Sequence, residues 1–236
     1  MADVLPQLTK LKRVALDLLY PPWCVGCGTE GKYICNSCQE KLPQISPPIC
    51  NKCGRPLTFD KTCPGCIEDP VEINGIRSPF LFEGVIRKAI HELKYRNLRA
   101  ITPLLSRYLN NYLKDNPLPG DVLVPVPIHK KRLHERGFNQ SSLLARELGR
   151  ISGLPVNEDC LMRKTHTPPQ VRTASALERR KNIANAFVCK NNQLKGKQVI
   201  LIDDVSTSGA TLNTCAGILK STGVTSVWGL VVALEI

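Results

Sequence analysis

The apolar positions near the carboxyl end of the chain fall into a strand–helix–strand rhythm. Val199 to Ile202 is an unbroken apolar run, short enough for a buried strand. Leu212, Cys215, Ala216 and Leu219 recur at helical spacing between Thr211 and Thr222, and Gly223 follows. That spacing predicts a helix with one apolar face and a glycine stop. Val227 to Leu234 predicts a second strand. Upstream, Val122 to Val126 predicts a strand running into a rigid turn at Pro127, because proline restricts the residue before it. Leu143, Leu144, Leu148 and Ile151 predict a helix that opens at Arg136-Gly137-Phe138-Asn139-Gln140 and runs to about Arg150. Arg163 to Phe187 has few apolar anchors. A polar stretch of that length inside a compact domain predicts a mobile, functional loop.

Composition changes this picture little. The chain has 236 residues, 42% hydrophobic and 22% charged, which excludes global disorder and leaves room for a real core. No apolar run is long enough for a membrane helix, so no membrane insertion is expected. The first residues mix apolar side chains with Lys10, Lys12, Arg13 and Asp17, unlike a signal peptide. A cytoplasmic location is expected. The formal charge is +12. Such a surface suits a phosphate-bearing partner, either a small molecule or a nucleic acid.

The cysteines change it more. Cys24/Cys27, Cys35/Cys38, Cys50/Cys53 and Cys63/Cys66 form four CxxC pairs, where chance would supply roughly half of one. In a reducing compartment such pairs bind metal, since two CxxC turns close a tetrahedron around one ion. The gap between the second and third pairs carries Pro43, Pro47 and Pro48 and reads as a spacer. One zinc is therefore assigned to Cys24, Cys27, Cys35 and Cys38. A second goes to Cys50, Cys53, Cys63 and Cys66, with cross-bracing left as the alternative. All-sulfur sites with no open position are structural. Eight thiolates and two Zn²⁺ lower the charge by four, to about +8. Residues 1–70 are read as an N-terminal helix and double zinc ribbon. Residues 21–70 are too few and too polar to fold without metal. Cys215 is expected as a small buried hydrophobe.

The stretch after Ile202 carries the clearest chemistry. Asp203 and Asp204 stand at the carboxyl end of a predicted strand, where open α/β sheets place their ligands. Thr207, Ser208, Gly209, Ala210 and Thr211 follow. Small, hydroxylated, glycine-containing loops at a helix start surround phosphates with N–H groups. This segment resembles the phosphoribosyl pyrophosphate (PRPP) signature of type I phosphoribosyltransferases. The resemblance implies that Asp203 and Asp204 hold the ribose hydroxyls and that the loop from Thr207 to Thr211 holds the 5′-phosphate. Mg²⁺ would accompany PRPP. It also implies that the loop after Val122–Pro127, with Lys130 and Arg136, contacts pyrophosphate. Arg163 to Phe187, with Gln170 and Arg179, looks like the hood that closes over PRPP.

Together these pieces resemble one family, the ComF proteins. The double ribbon, Val124–Pro127, Arg136–Gln140, the Thr167–Asn182 stretch and the Asp203–Thr211 loop all match its pattern, as does Phe82-Glu83-Gly84 through Leu93-Lys94-Tyr95-Arg96. The resemblance implies an α/β fold in residues 71–236: a type I phosphoribosyltransferase-like open, mostly parallel sheet flanked by helices. It also implies a role in natural competence, with single-stranded DNA and competence proteins as partners. No residue is assigned as catalytic, and oligomeric state is left open. An acidic residue that purine salvage enzymes carry before the phosphate loop is replaced here by Thr207, which argues against hypoxanthine or guanine as substrate. Two functions remain. The favoured one is a PRPP-binding protein that handles incoming DNA. The other is a transferase moving ribose 5-phosphate from PRPP to a nitrogen acceptor. For DNA, Arg87, Lys88, the Lys94–Arg99 segment and the His129–Arg136 run are the expected backbone contacts. Lys32, Lys41, Lys52 and Arg55 form a rival surface. Tyr95 and Phe138 are the nearest aromatics and are expected to pack. The acidic pair, facing a cleft, is expected to carry little packing.

Overall fold

The computed structural model describes residues 21–58, 61–68, 71–164 and 186–236. The expected N-terminal helix and residues 165–185 of the expected hood, including Gln170 and Arg179, lie outside them. Two short helices, α1 (Asn36–Gln39) and α2 (Pro64–Glu68), belong to the cysteine-rich part. The rest runs β1 (Gly75–Arg77), β2 (Phe80–Leu81), α3 (Gly84–Tyr95), α4 (Thr102–Asp115), β3 (Val122–Pro125), α5 (Lys130–Arg136), α6 (Gln140–Ser152), β4 (Leu161–Arg163), β5 (Phe187–Cys189), β6 (Gln198–Ser206), α7 (Ala210–Ser221) and β7 (Ser226–Leu234).

The main sheet has the order β1–β7–β6–β3, with β2 also on β7, and every pairing in it is parallel. Parallel sheets need cover on both faces, and alternate residues of β6 and β7 feed two apolar layers. Ile200, Ile202, Leu230 and Val232 pack with Ile86, Ile90 and Leu93 of α3, Leu105 and Leu109 of α4, and Leu144 and Leu148 of α6. Val199, Leu201, Val227 and Val231 pack with Leu212, Cys215, Ala216 and Leu219 of α7 and with Leu161 and Phe187 of the antiparallel β4–β5 pair. Cys215 is fully buried there, as its helical spacing predicts. Among the described residues no helix is long and apolar enough to cross a membrane.

The cysteine-rich part is built into this frame. Cys24, Ile34 and Leu42 join the first apolar layer. The Cys50–Cys53 knuckle docks on β1: Ile76 N donates to Lys52 O at 2.7 Å, and Arg77 Nη1 donates to Asn51 O at 3.1 Å. Gly54, at φ +75, is required at this contact, since a Cβ there would lie 2.4 Å from Ile76 O.

Two elements differ from expectation. β6 does not end at Ile202 but continues through the acidic pair to Ser206, because β7 offers pairing partners out to Leu234. The basic run after His129 is the helix α5, capped where His129 Nδ1 accepts from Lys131 N at 3.1 Å and closed by Gly137 at φ 76.

Candidate metal centres and phosphate site

Among the described residues the paired cysteines gather into two groups: Cys24, Cys27, Cys35 and Cys38, and Cys50, Cys53, Cys63 and Cys66. Within each group all sulfurs lie within 4.8 Å of one another. Cys27 and Cys35 Sγ are 3.6 Å apart, as are Cys53 and Cys63 Sγ. A tetrahedron with Zn–S bonds of about 2.3 Å has edges of about 3.8 Å, so the donors fit zinc. The grouping is consecutive, which removes the cross-braced alternative. Amides support the thiolates: Cys35 N donates to Cys24 Sγ and Cys63 N to Cys50 Sγ, each at 3.3 Å. Burial pushes the Cys24 and Cys50 thiols up, but knuckle N–H groups outweigh it and bring both down to about 6. Both groups are structural zinc sites.

The acidic pair lies on β6, between β3 on one side and β7 on the other. Asp203 Oδ1 accepts from Ser141 Oγ at 2.7 Å and from Asp204 N at 2.9 Å. Burial and the neighbouring Asp204 push the Asp203 carboxyl up to about 7, against the opposing pull of Ser141 and Lys94. Asp204 is 2% exposed, and its Oδ2 lies 2.6 Å from Lys94 Nζ. One expectation is corrected here. Asp204 is a buried ion-pair partner, not a loosely held cleft residue. Lys94, expected among the DNA contacts, is engaged by Asp204. Neither Ser141 nor Lys94 was legible as a site residue, because tertiary packing of the first turn of α6 and the last turn of α3 brings them in.

The loop after β6 turns sharply into α7. Thr207 and Ser208 are exposed, and Gly209 adopts φ 76. A Cβ on Gly209 would lie 2.9 Å from Ile76 Cδ1, so conformation and space both require glycine. No side chain caps α7; Ala210 N reaches Ser208 Oγ at 3.4 Å. The free N–H groups and helix dipole there favour an anion. Arg55 Nη2 donates to Thr207 O at 2.8 Å. Arg55, expected on the rival DNA surface, is therefore tied to this loop.

Parallel pairing of Pro125 with Ile202 brings the end of β3 to the same rim. Lys130 and Lys131 are exposed on α5, while Arg132 and Arg136 are half-buried. Arg136 bonds Gln140 Oε1 and lies 5.7 Å from the Tyr95 ring centre. Phe138 packs as expected, at 6% exposure under the Arg99 guanidinium. Tyr95, expected to pack, is instead 71% exposed on the last turn of α3, with His91 edge-on at 5.4 Å and Arg136 against its ring.

The double zinc ribbon domain family matches residues 15–67. Competence protein ComFC of Bacillus subtilis is 32% identical over 203 residues, covering 80% of this chain and 79% of its own. Competence protein F of Haemophilus influenzae is 31% identical, covering 84% and 89%. DNA utilization protein YhgH of Escherichia coli K12 is 29% identical, covering 82% and 87%. Among solved structures, a purine phosphoribosyltransferase from Pyrococcus horikoshii is similar over 56% of this chain and 70% of its own, at 18% identity and a TM-score of 0.36.

Proposed function

The chain belongs to the ComF family, and from that premise we propose that it binds PRPP with Mg²⁺ and acts in natural competence by handling single-stranded DNA. The observation that carries the ligand is the pairing of the acidic residues with the loop that follows them. Asp203 Oδ1 accepts from the hydroxyl of Ser141, and the loop from Thr207 runs from the end of β6 into the uncapped start of α7. Asp203 would take the ribose hydroxyls and the loop the 5′-phosphate. Lys94 holds Asp204 in place and offsets its charge, so that the two carboxylates tolerate each other. Mg²⁺, when bound, would neutralise the phosphates, and Asp203 is the side chain suited to face it.

The relatives' names, competence protein and DNA utilization protein, support the DNA part. So does a basic rim. Lys130 and Lys131 stand exposed on α5, and the exposed Tyr95 ring, with Arg136 over one face, offers a surface for base stacking. Domain limits of 1–70 and 71–236 are retained as units of function, with zinc ribbons ahead of the ligand domain.

The test measures binding of a fluorescent single-stranded oligonucleotide against salt, with and without Mg-PRPP. Pyrophosphate release with a panel of bases and ammonia is followed in parallel. Sequence-blind binding that weakens with salt, by a log–log slope near −0.7 per phosphate, supports the proposal. No DNA binding at low salt, together with rapid pyrophosphate release on one acceptor, would make the protein a transferase instead.

A further inference from the structure

The second zinc ribbon reaches into the phosphate loop through one side chain. Arg55 follows Cys53 by two positions, yet its guanidinium donates to Thr207 O, 152 residues away in sequence. The two ends of this contact are both anchored. The knuckle is fixed to β1 by the Ile76–Lys52 and Arg77–Asn51 bonds and by the close approach at Gly54. Ile76 in turn stands against the loop, where it leaves no room for a Cβ on Gly209. Ribbon, strand and loop thus meet at Ile76.

The consequence follows from peptide geometry. A trans peptide is planar, and its C=O and N–H point in opposite directions. Thr207 C=O is turned to Arg55, so the N–H of the same peptide, on Ser208, is turned away from the ribbon. A carbonyl left unclaimed in this loop could rotate toward the anion and repel it. The guanidinium also adds a positive charge beside the loop.

We propose that Arg55 is a positioning residue for the 5′-phosphate: acting through Thr207, it fixes the loop peptide whose N–H faces the ligand. The second zinc ribbon is then part of the binding site as well as a structural pad. This rests on the PRPP-binding reading above.

The experiment uses the full zinc-loaded chain and calorimetry with three probes: Mg-PRPP, ribose 5-phosphate and Mg-pyrophosphate. Arg55→Ala should weaken PRPP and ribose 5-phosphate about fivefold to tenfold and leave pyrophosphate binding unchanged. Arg55→Lys, which keeps a charged donor, should recover most of the loss. Should Arg55→Ala fold poorly or lose zinc, Arg55→Met keeps the apolar stem, removes the donor and is read in the same way. Unchanged affinity for both ribose phosphates, or equal weakening for all three probes, would overturn the role of Arg55. A wild-type chain that binds none of the probes would overturn the PRPP reading instead.

Discussion

Asp203 and Asp204 are adjacent in sequence and differ in what they do. Asp204 is buried against Lys94, while Asp203 keeps a partly exposed carboxyl whose proton is held up to about pH 7. Between its ordinary value of 3.8 and about 7, the folded chain keeps a proton that the unfolded chain has lost. Stability therefore falls as pH rises through that window. Asp203→Asn should remove this slope and stabilise the ligand-free chain by at least about 1 kcal/mol at pH 8, or about 2–4 °C. Thermal melts from pH 4 to 8 without Mg²⁺ check it; parallel curves for wild type and variant would contradict it. Lys94→Met should act the other way, costing about 3 kcal/mol by leaving Asp204 charged and alone in the interior. The double variant Lys94→Met/Asp204→Leu should lose less than the single one, which urea unfolding of the cycle would show. The acidic pair is visible in the sequence because strand, acids and small-residue loop are contiguous. That Lys94 and Ser141 meet the pair is not, since both lie more than 60 residues away.

At the scale of elements, periodicity is a good guide where one face is buried. The helix expected from Thr211 to Thr222 is α7, Ala210–Ser221, and the strand expected from Val227 is β7, Ser226–Leu234. The end of β6 departs from expectation because polar residues after an apolar run look like a loop, yet the edge of β7 continues to pair with them. The zinc ribbons are legible from spacing alone. Their docking is not, because Ile34, Leu42 and Ile76 become core only when the two parts meet. This docking carries a prediction. Chelating zinc should lower the melting temperature of the whole chain in a single transition, because Cys24 and Ile34 share the apolar layer of α3 and α4. Metal analysis should return two zinc ions per chain by the four-ligand rule. An unchanged transition after verified zinc loss would mean that the ribbons are independent of the sheet.

The whole molecule places three features on one rim of the parallel sheet: the acidic pair, the uncapped start of α7 and the basic helix α5. That arrangement suits the proposed ligand, which has phosphates at both ends and a ribose between. Replacing Lys130 and Lys131 by Ala should weaken pyrophosphate binding. If the strand also follows this rim, the salt slope for DNA should flatten by about 0.7 for each phosphate that is no longer neutralised. The central claim is that Asp203 and the following loop bind PRPP. Asp203→Asn is the decisive variant, because it keeps the Lys94–Asp204 pair intact. Titration calorimetry with Mg-PRPP should show saturable binding to the wild-type chain and affinity at least about tenfold weaker in Asp203→Asn, near 1.4 kcal/mol. Equal affinity in the two proteins, or no binding to the wild type, would contradict the account.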